Sequence, residues 1–546
     1  MSLWSFAVIV GSALSLQAAC GSDSPGADAA ADATADGAAD AAADATADSG
    51  ADATADSGAD ATADGDVATT RAPGRTLEVL TALGATPCDV DASFLCGAVD
   101  MPKDHAHPDG PTLRWAFAVR PADTSPPKGL LVTIVGGPGD AGTEALDDYS
   151  SVGERFKDEF DLAYFDLRGM GGSGDFHCDD ALTALYDGGM HVDSAATQAD
   201  LVARATTFSP ACLAEMGLAA GDAALYSTAQ GAEDLEWLRA TLEHPSMRIY
   251  GLSYGTQLGQ IYAHLHPDRV SALVIDGVVD LTTSVTEFDA ALARGVNSLL
   301  DRTLAVCDAE PDCSDALGQT AARAWDDAAA LLPMDLDYSA GGEDYTTTLE
   351  PGALDVVADC YLDNADDRRA LLDLLVGVVA DDDWESMRQA YFDCEGLDDD
   401  GSQLAPDETL GAYYLITCAD FGQPDQTAYL AAGHDFWRAR VSSAFYGDIP
   451  CLTWPVAVGS SPSVATLDVP LLIVNADGDD ATPHEQGAAV AARNTAAGVI
   501  EVSGGEHVMY GYGNTCVDDA VNAFLLDGTL PATRPLRCDD VFVSEP

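Results

Sequence analysis

Positive charge is what this chain lacks most. Lys and Arg together number 24 against 91 Asp and Glu, a formal net charge of −67, and lysine is nearly absent. So strong a negative field repels nucleic acid and anionic membrane surfaces, and nucleic acid is not expected as a partner. It reads as a solvated, solubilising surface, and it is compatible with attraction of cationic substrates. Histidine is also sparse, with ten in 546 residues. The 13 cysteines include no C-x-x-C pair, so a zinc site is not expected. His105 with His107, and His264 with His266, stand two apart, a spacing that does not share a helix face, and they are read as solvated or structural. Neither a metal nor a cofactor is expected.

What is present begins with an apolar segment over residues 1–20, ending in Leu16-Gln17-Ala18-Ala19-Cys20. It resembles a bacterial lipoprotein signal, with Cys20 as the lipid-bearing new N-terminus; a plain cleaved secretory peptide is the alternative, and the run is short for a spanning helix. Residues 21–75 follow as Ala/Asp-rich repeats such as ADATADSG, with almost no large apolar side chain. Such a stretch cannot bury enough surface to offset its ordering entropy and reads as an extended, self-repelling tether. Export implies an oxidising compartment, so the remaining cysteines read as disulfides. With Cys20 set apart they are even in number, and sequential pairing is expected: Cys88–Cys96, Cys178–Cys212, Cys307–Cys313, Cys360–Cys394, Cys418–Cys451 and Cys516–Cys538. Sequence alone does not fix that connectivity.

The globular part is organised around residues 247–259, MRIYGLSYGTQLG. Residues 247–250 read as a buried strand, Gly251-Leu252-Ser253-Tyr254-Gly255 fits G-x-S-x-G, and 256–264 reads as a helix. Strand, tight turn and helix are the context in which that pattern exposes a nucleophilic serine, with small residues on either side making room for the turn. The Tyr254 N–H would face a developing oxyanion. Upstream, an apolar strand over 129–135 runs into Gly136-Gly137-Pro138-Gly139, a turn whose backbone N–H groups can face an anion. Arg168, in the turn after a strand over 161–166, reads as a structural partner of Asp166 or a neighbouring loop. Residues 281–450 carry apolar residues at helical spacing and read as a mainly helical lid. The strand pattern resumes over 469–474, ahead of Asp477-Gly478-Asp479-Asp480, and over 498–502, ahead of His507. A serine needs a base, and the base an orienting acid. His507 is the candidate base. Asp479 is preferred as the acid, with Asp480 and Asp477 as alternatives in the same loop.

As a set, GGPG at 136–139, DLRGMGGSG at 166–174, GLSYG at 251–255, HPDRV at 266–270, DGVVD at 276–280, DDATP at 479–483, His507 and the Cys516…Cys538 tail resemble the proline iminopeptidase and tripeptidyl aminopeptidase branch of the α/β-hydrolases. The resemblance implies a mostly parallel sheet with flanking helices, split into core segments 76–280 and 451–546 by a helical cap over 281–450. It implies a Ser253–His507–Asp479 triad and an oxyanion hole from Tyr254 with Gly137 or Gly136. It implies a peptide substrate with a free N-terminus, whose amine is held by cap acids; Asp420 is the candidate. The expectation is an exported serine hydrolase, lipid-anchored or secreted into the cell envelope, most simply a monomer. A carboxylesterase on the same fold and an inactive surface-binding lipoprotein stand as rivals.

Overall fold

A computed structural model describes residues 74–146, 153, 155–402 and 409–546; the signal-like segment, Cys20 and residues 21–73 of the expected tether lie outside the described residues, while Arg75, placed in the tether, opens the helix Arg75–Ala82. The strands, in chain order, are β1 (Thr86–Pro87), β2 (Leu95–Pro102), β3 (Thr112–Arg120), β4 (Gly129–Ile134), β5 (Phe160–Phe165), β6 (Met247–Leu252), β7 (Val270–Asp276), the hairpin β8 (Met334–Ala340) and β9 (Glu343–Leu349), β10 (Leu471–Ala476), β11 (Gly498–Ser503) and β12 (Leu536–Asp539). All but the hairpin form one sheet, in the order β1-β2-β3-β5-β4-β6-β7-β10-β11-β12. Pairing is antiparallel through β1, β2, β3 and β5, and parallel from β5 through β4 to β12.

The apolar runs are continuous because the parallel strands are covered on both faces. Along β4, Leu130, Val132 and Ile134 pack with Leu235 and Leu238 of the helix Thr228–Thr241. The intervening Leu131 packs on the other face with Val517, Val521 and Phe524 of the helix Thr515–Asp527. Each such side chain contributes roughly 1.5–3 kcal/mol on burial. Between β4 and β6 the chain reverses its direction of travel across the sheet: β5 lies on one side of β4 and β6 on the other. Loops leaving the carboxyl ends of those two strands diverge, and the crevice between them is where ligands bind in open α/β sheets. The GGPG turn follows β4 and Ser253 follows β6.

The cap is built from two pieces of chain. Its helices from Val285–Ala309 onward share one hydrophobic cluster with Leu182, Leu185, Leu201 and Phe208 of the helices Asp179–Tyr186 and Ala195–Glu215. Polar ties join the two pieces: Tyr186 and Tyr414 hydroxyls lie 2.7 Å apart, and Gln198 donates to Tyr446 at 3.1 Å. The sequence reading limited the cap to 281–450 and did not anticipate the β8–β9 hairpin within it. Arg168 does not pair with Asp166 but does tie down a neighbouring loop: its Nη1 donates to the Lys103 carbonyl, just after β2, at 2.7 Å. It forks onto Asp234 of the helix Thr228–Thr241 at 2.6 and 2.8 Å, both groups buried, while Asp166 accepts from Thr143 and Gly172.

Six disulfides join the cysteines in the expected sequential pairs. That number fits folding in an oxidising compartment. No helix among the described residues is long and apolar enough to cross a membrane.

Candidate active site

Ser253 sits between β6 and the helix Tyr254–Leu265 with φ 54° and ψ −126°, a backbone conformation that costs a non-glycine residue about 1–3 kcal/mol. The turn holds because its neighbours have no side chains. A Cβ on Gly251 would lie 2.3 Å from the Gly255 carbonyl oxygen, and one on Gly255 would lie 2.1 Å from the Ile134 oxygen. The Ser253 N–H donates to the Asp276 carbonyl at 2.8 Å, which fixes the turn to β7. The loop after β4 runs alongside: a Cβ on Gly136 would meet Ser253 Cβ at 3.2 Å and Oγ at 3.5 Å.

Three aspartates compete in the loop after β10, and their partners separate them. Asp477 accepts from Arg302 at 2.8 Å and from the Gly504 N–H at 2.9 Å, facing away from the histidine. Asp480 is buried, and its Oδ1 makes no hydrogen bond. Asp479 accepts from the N–H groups of Ala481 and Thr482 and from the Thr482 hydroxyl, and lies 3.0 Å from His507 Nδ1. Those donors aim its carboxylate at the imidazole, so the geometry selects Asp479 of the three.

His507 is held from behind. Asp276, at the end of β7, accepts from the N–H groups of Met509 and Tyr510 at 3.0 and 2.8 Å, clamping the loop in which Val508 takes a φ of 66°. Burial pushes the Asp276 carboxyl up to about 6, against those donors. Gly277 leaves room for the ring: a Cβ there would lie 2.8 Å from His507 Cε1. Burial works against the imidazolium, but the charges of Asp479, Asp480 and Asp363 outweigh it and hold the His507 pKa up to about 9. Its Nε2 is buried and makes no hydrogen bond.

Ser253 opens into a cavity of about 60 Å³ whose floor is Gly137, Tyr254 and Gln257 and whose walls include Phe288, Leu292 and Phe421 from the cap. Asp448 also lines it. This carboxyl is buried and accepts from the Tyr413 hydroxyl at 2.9 Å. Behind it stands Asp289, hydrogen-bonded to the Tyr429 hydroxyl at 2.6 Å. The two carboxyls also hydrogen-bond each other; burial, and then the partner's charge, raises Asp289 well above the ordinary range, while burial takes Asp448 up to about 6. Two buried acids in contact cannot both ionise freely, so they share a proton.

Asp420, the acid expected from the sequence to take a substrate amine, is not among the cavity's walls. Its oxygens accept from the Thr228 N–H at 2.7 Å and from the Thr228 and Ser461 hydroxyls and the Gln257 amide. Thr228 in turn meets the Tyr254 hydroxyl at 2.6 Å. With four donors on it, this carboxylate braces the cap helix Thr409–Phe421 against the nucleophile turn. The acid pair near Ser253 is Asp448 with Asp289, which the sequence reading missed. One signal was there: Asp289 lies on the buried face of its helix, in line with Val285, Leu292 and Val296, where an acid is out of place.

Comparison with known proteins agrees with this architecture. Residues 129–344 match the family model for the alpha/beta hydrolase fold, and residues 437–538 match that of TAP-like proteins. The chain is 28% identical to serine protease Hip1 of Mycobacterium tuberculosis, over 82% of this chain and 89% of that one. It is 28% identical to a tripeptidyl aminopeptidase of Streptomyces lividans, over 81% and 83%. It is 27% identical to carboxylesterase B of Mycobacterium tuberculosis, over 81% and 86%. With a nucleophile-type turn after β6, an acid loop after β10, a histidine loop after β11 and these matches along its length, the chain has the α/β-hydrolase fold and a C-terminal region similar to TAP-like proteins.

Proposed function

We propose that this protein is a serine exopeptidase that cleaves peptides near a free N-terminus. Ser253 is the nucleophile, His507 the base and Asp479 the group that orients it. His507 Nε2 takes the Ser253 proton as Oγ attacks the scissile carbonyl. The N–H groups of Tyr254 and of Gly137 or Gly136 receive the oxyanion. His507, now protonated, gives its proton to the leaving amine, and water resolves the acyl-enzyme by the reverse route. The strained turn and the 3.0 Å contact between His507 and Asp479 support these roles.

The observation that carries the choice of substrate is the buried carboxyl of Asp448 in the cavity of Ser253. A peptide ammonium is the partner such a group lacks. At a buried carboxyl in a low-dielectric, partly enclosed cavity the ion pair is stronger than in water, and it replaces the proton shared with Asp289. Apolar walls around it favour a small apolar side chain beside the scissile bond. The enzyme works outside the cytoplasm as a monomer, tethered through Cys20 when that residue is lipidated.

The test compares a free-amine Ala-Ala-Pro chromogenic amide with its N-acetylated twin and with a short acyl ester, using Ser253→Ala as control. Selective turnover of the free-amine peptide, lost in the variant, is the expected result. Ester turnover alone would make the protein a carboxylesterase. Absence of all three turnovers, with no fluorophosphonate labelling of Ser253, would leave a binding protein on a hydrolase fold.

A further inference from the structure

The loop that carries Asp479 and the loop that carries His507 belong to the core, yet a residue of the cap joins them. Arg368 lies in the first turn of the cap helix Ala365–Asp381 and is completely buried. A buried guanidinium in so acidic a protein would be expected to pair with a carboxylate. This one gives all its hydrogen bonds to backbone carbonyls instead. Nε donates to Leu362 at 2.7 Å; Nη1 donates to Gly505 at 2.9 Å and to Phe542 at 3.1 Å; Nη2 donates to Asp363 at 2.9 Å and to Gly478. Gly478 is the residue before Asp479, and Gly505 stands two before His507. The two loops already lie close, since a Cβ on Gly478 would meet the Gly505 oxygen at 2.2 Å.

We infer that Arg368 is a positioning residue: its planar fork bridges the acid loop and the histidine loop and fixes the register in which Asp479 meets His507. The inference rests on the triad proposed above. Only guanidinium has the geometry for it. Five N–H groups in one rigid plane reach several carbonyls at once, whereas an ammonium offers a compact point charge. The same cation also sets the field at the base. His507 is faced by Asp479 and Asp480 from the acid loop, Asp276 from β7 and Asp363 from the cap; Glu506 precedes it in its own loop and faces Arg368 and Asp363. Arg368 faces Asp480, Asp363 and Glu506, with Asp367 behind it, Arg302 on the helix Val285–Ala309 and Asp540 in the tail beyond. Removing its charge leaves those carboxyls unopposed, which favours the imidazolium and moves the base's titration to higher pH.

The experiment measures kcat and the pH profile of the wild type, Arg368→Lys, Arg368→Met and Ser253→Ala on an N-acetylated ester, with active sites counted by a fluorophosphonate. A fall in stability alone changes the number of titrated sites and leaves kcat per site and the pH limb where they were. The expected result is a loss of about 30- to 100-fold in kcat per titrated site for both Arg368 variants, the size of effect that follows from an ångström-scale misplacement. The limb shifts upward by about one unit in Arg368→Met and stays near the wild-type position in Arg368→Lys, which keeps the charge but loses the fork. Wild-type kcat per site and an unmoved limb in both variants, with Ser253→Ala inactive, would overturn the role of Arg368 alone. Turnover that survives Ser253→Ala would overturn the triad, and this inference with it.

Discussion

Two cap aspartates look alike by every local measure and differ in what surrounds them. Asp420 and Asp448 are both buried, both reach toward the nucleophile turn, and both have carboxyls that burial pushes up to about 6. Around Asp420 the sequence supplies four neutral donors, so the ion is solvated by the protein and has no capacity left for a ligand. Around Asp448 it supplies one tyrosine and another acid. That second arrangement is costly in the free protein, and under the proposed function an arriving cation relieves it. Burial and a raised pKa are therefore shared by a brace and by the proposed binding group; the chemistry of the partners separates them. One disulfide joins the two sites, since Cys418 precedes Asp420 by two residues and Cys451 follows Asp448 by three.

The comparison can be broken in four places. The largest effect sets its baseline: Ser253→Ala or His507→Ala should lower kcat by about 10⁴-fold or more on free-amine and acetylated substrates alike, and an unchanged rate would remove the site to which both acids are being referred. Next, Asp448→Asn should lower kcat/KM for the free-amine peptide by about 30- to 1,000-fold, the cost of truncating one partner of a buried charge pair, and leave its acetylated twin within about threefold. Asp420→Asn should lower both substrates together. Equal losses in the two variants, or a free-amine defect in Asp420→Asn alone, would reverse the assignment.

A smaller effect concerns pH. The base must be unprotonated to act, and His507 is held up to about 9, so kcat/KM for an acetylated ester should still be rising above pH 8. Replacing Asp480 by Asn removes a charge that favours the imidazolium. Its limb should move to lower pH, and activity at pH 7 should increase by about three- to tenfold, as a shift of half to one unit requires; a pH–rate profile checks this, and a fall at pH 7 would contradict it. The last effect is on stability. Opening Cys418–Cys451, which closes 33 residues, should cost about 3–4 kcal/mol in the chain-entropy account, read as a lower Tm in the Cys418→Ser/Cys451→Ser double variant.

The parts that were legible in the sequence are those with short-range causes. Gly251 is demanded by its contact with the Gly255 carbonyl four residues on, and the continuous apolar runs of β4, β7 and β10 announce strands covered on both faces. The choice of Asp479 over its neighbours was only partly legible. All three share one loop, and the Ala481 and Thr482 N–H groups decide which carboxylate turns to His507. Asp420 was misread because its donors come from residues 192 and 163 positions away. Asp448 and Asp289 meet across a similar gap in sequence. The β8–β9 hairpin is a different miss: Met334, Leu336 and Tyr338 alternate with Asp ahead of a Gly-Gly turn, and that period of two was there to be read. The first piece of the cap was hidden because its helices bury their apolar faces against residues a hundred and more positions later.

That divided cap has a consequence for the order in which the molecule comes together. As the chain is made, the helices Asp179–Tyr186 and Ala195–Glu215 emerge with no surface to cover them, and β6 with its nucleophile turn is laid down before the second piece arrives. The cluster that the two pieces share thus closes only late, when Tyr414, Phe445 and Trp454 become available. Synthesis itself keeps the proposed nucleophile uncovered and its turn unbraced until the last third of the chain has left the ribosome, so a truncated product would carry the serine without a working site.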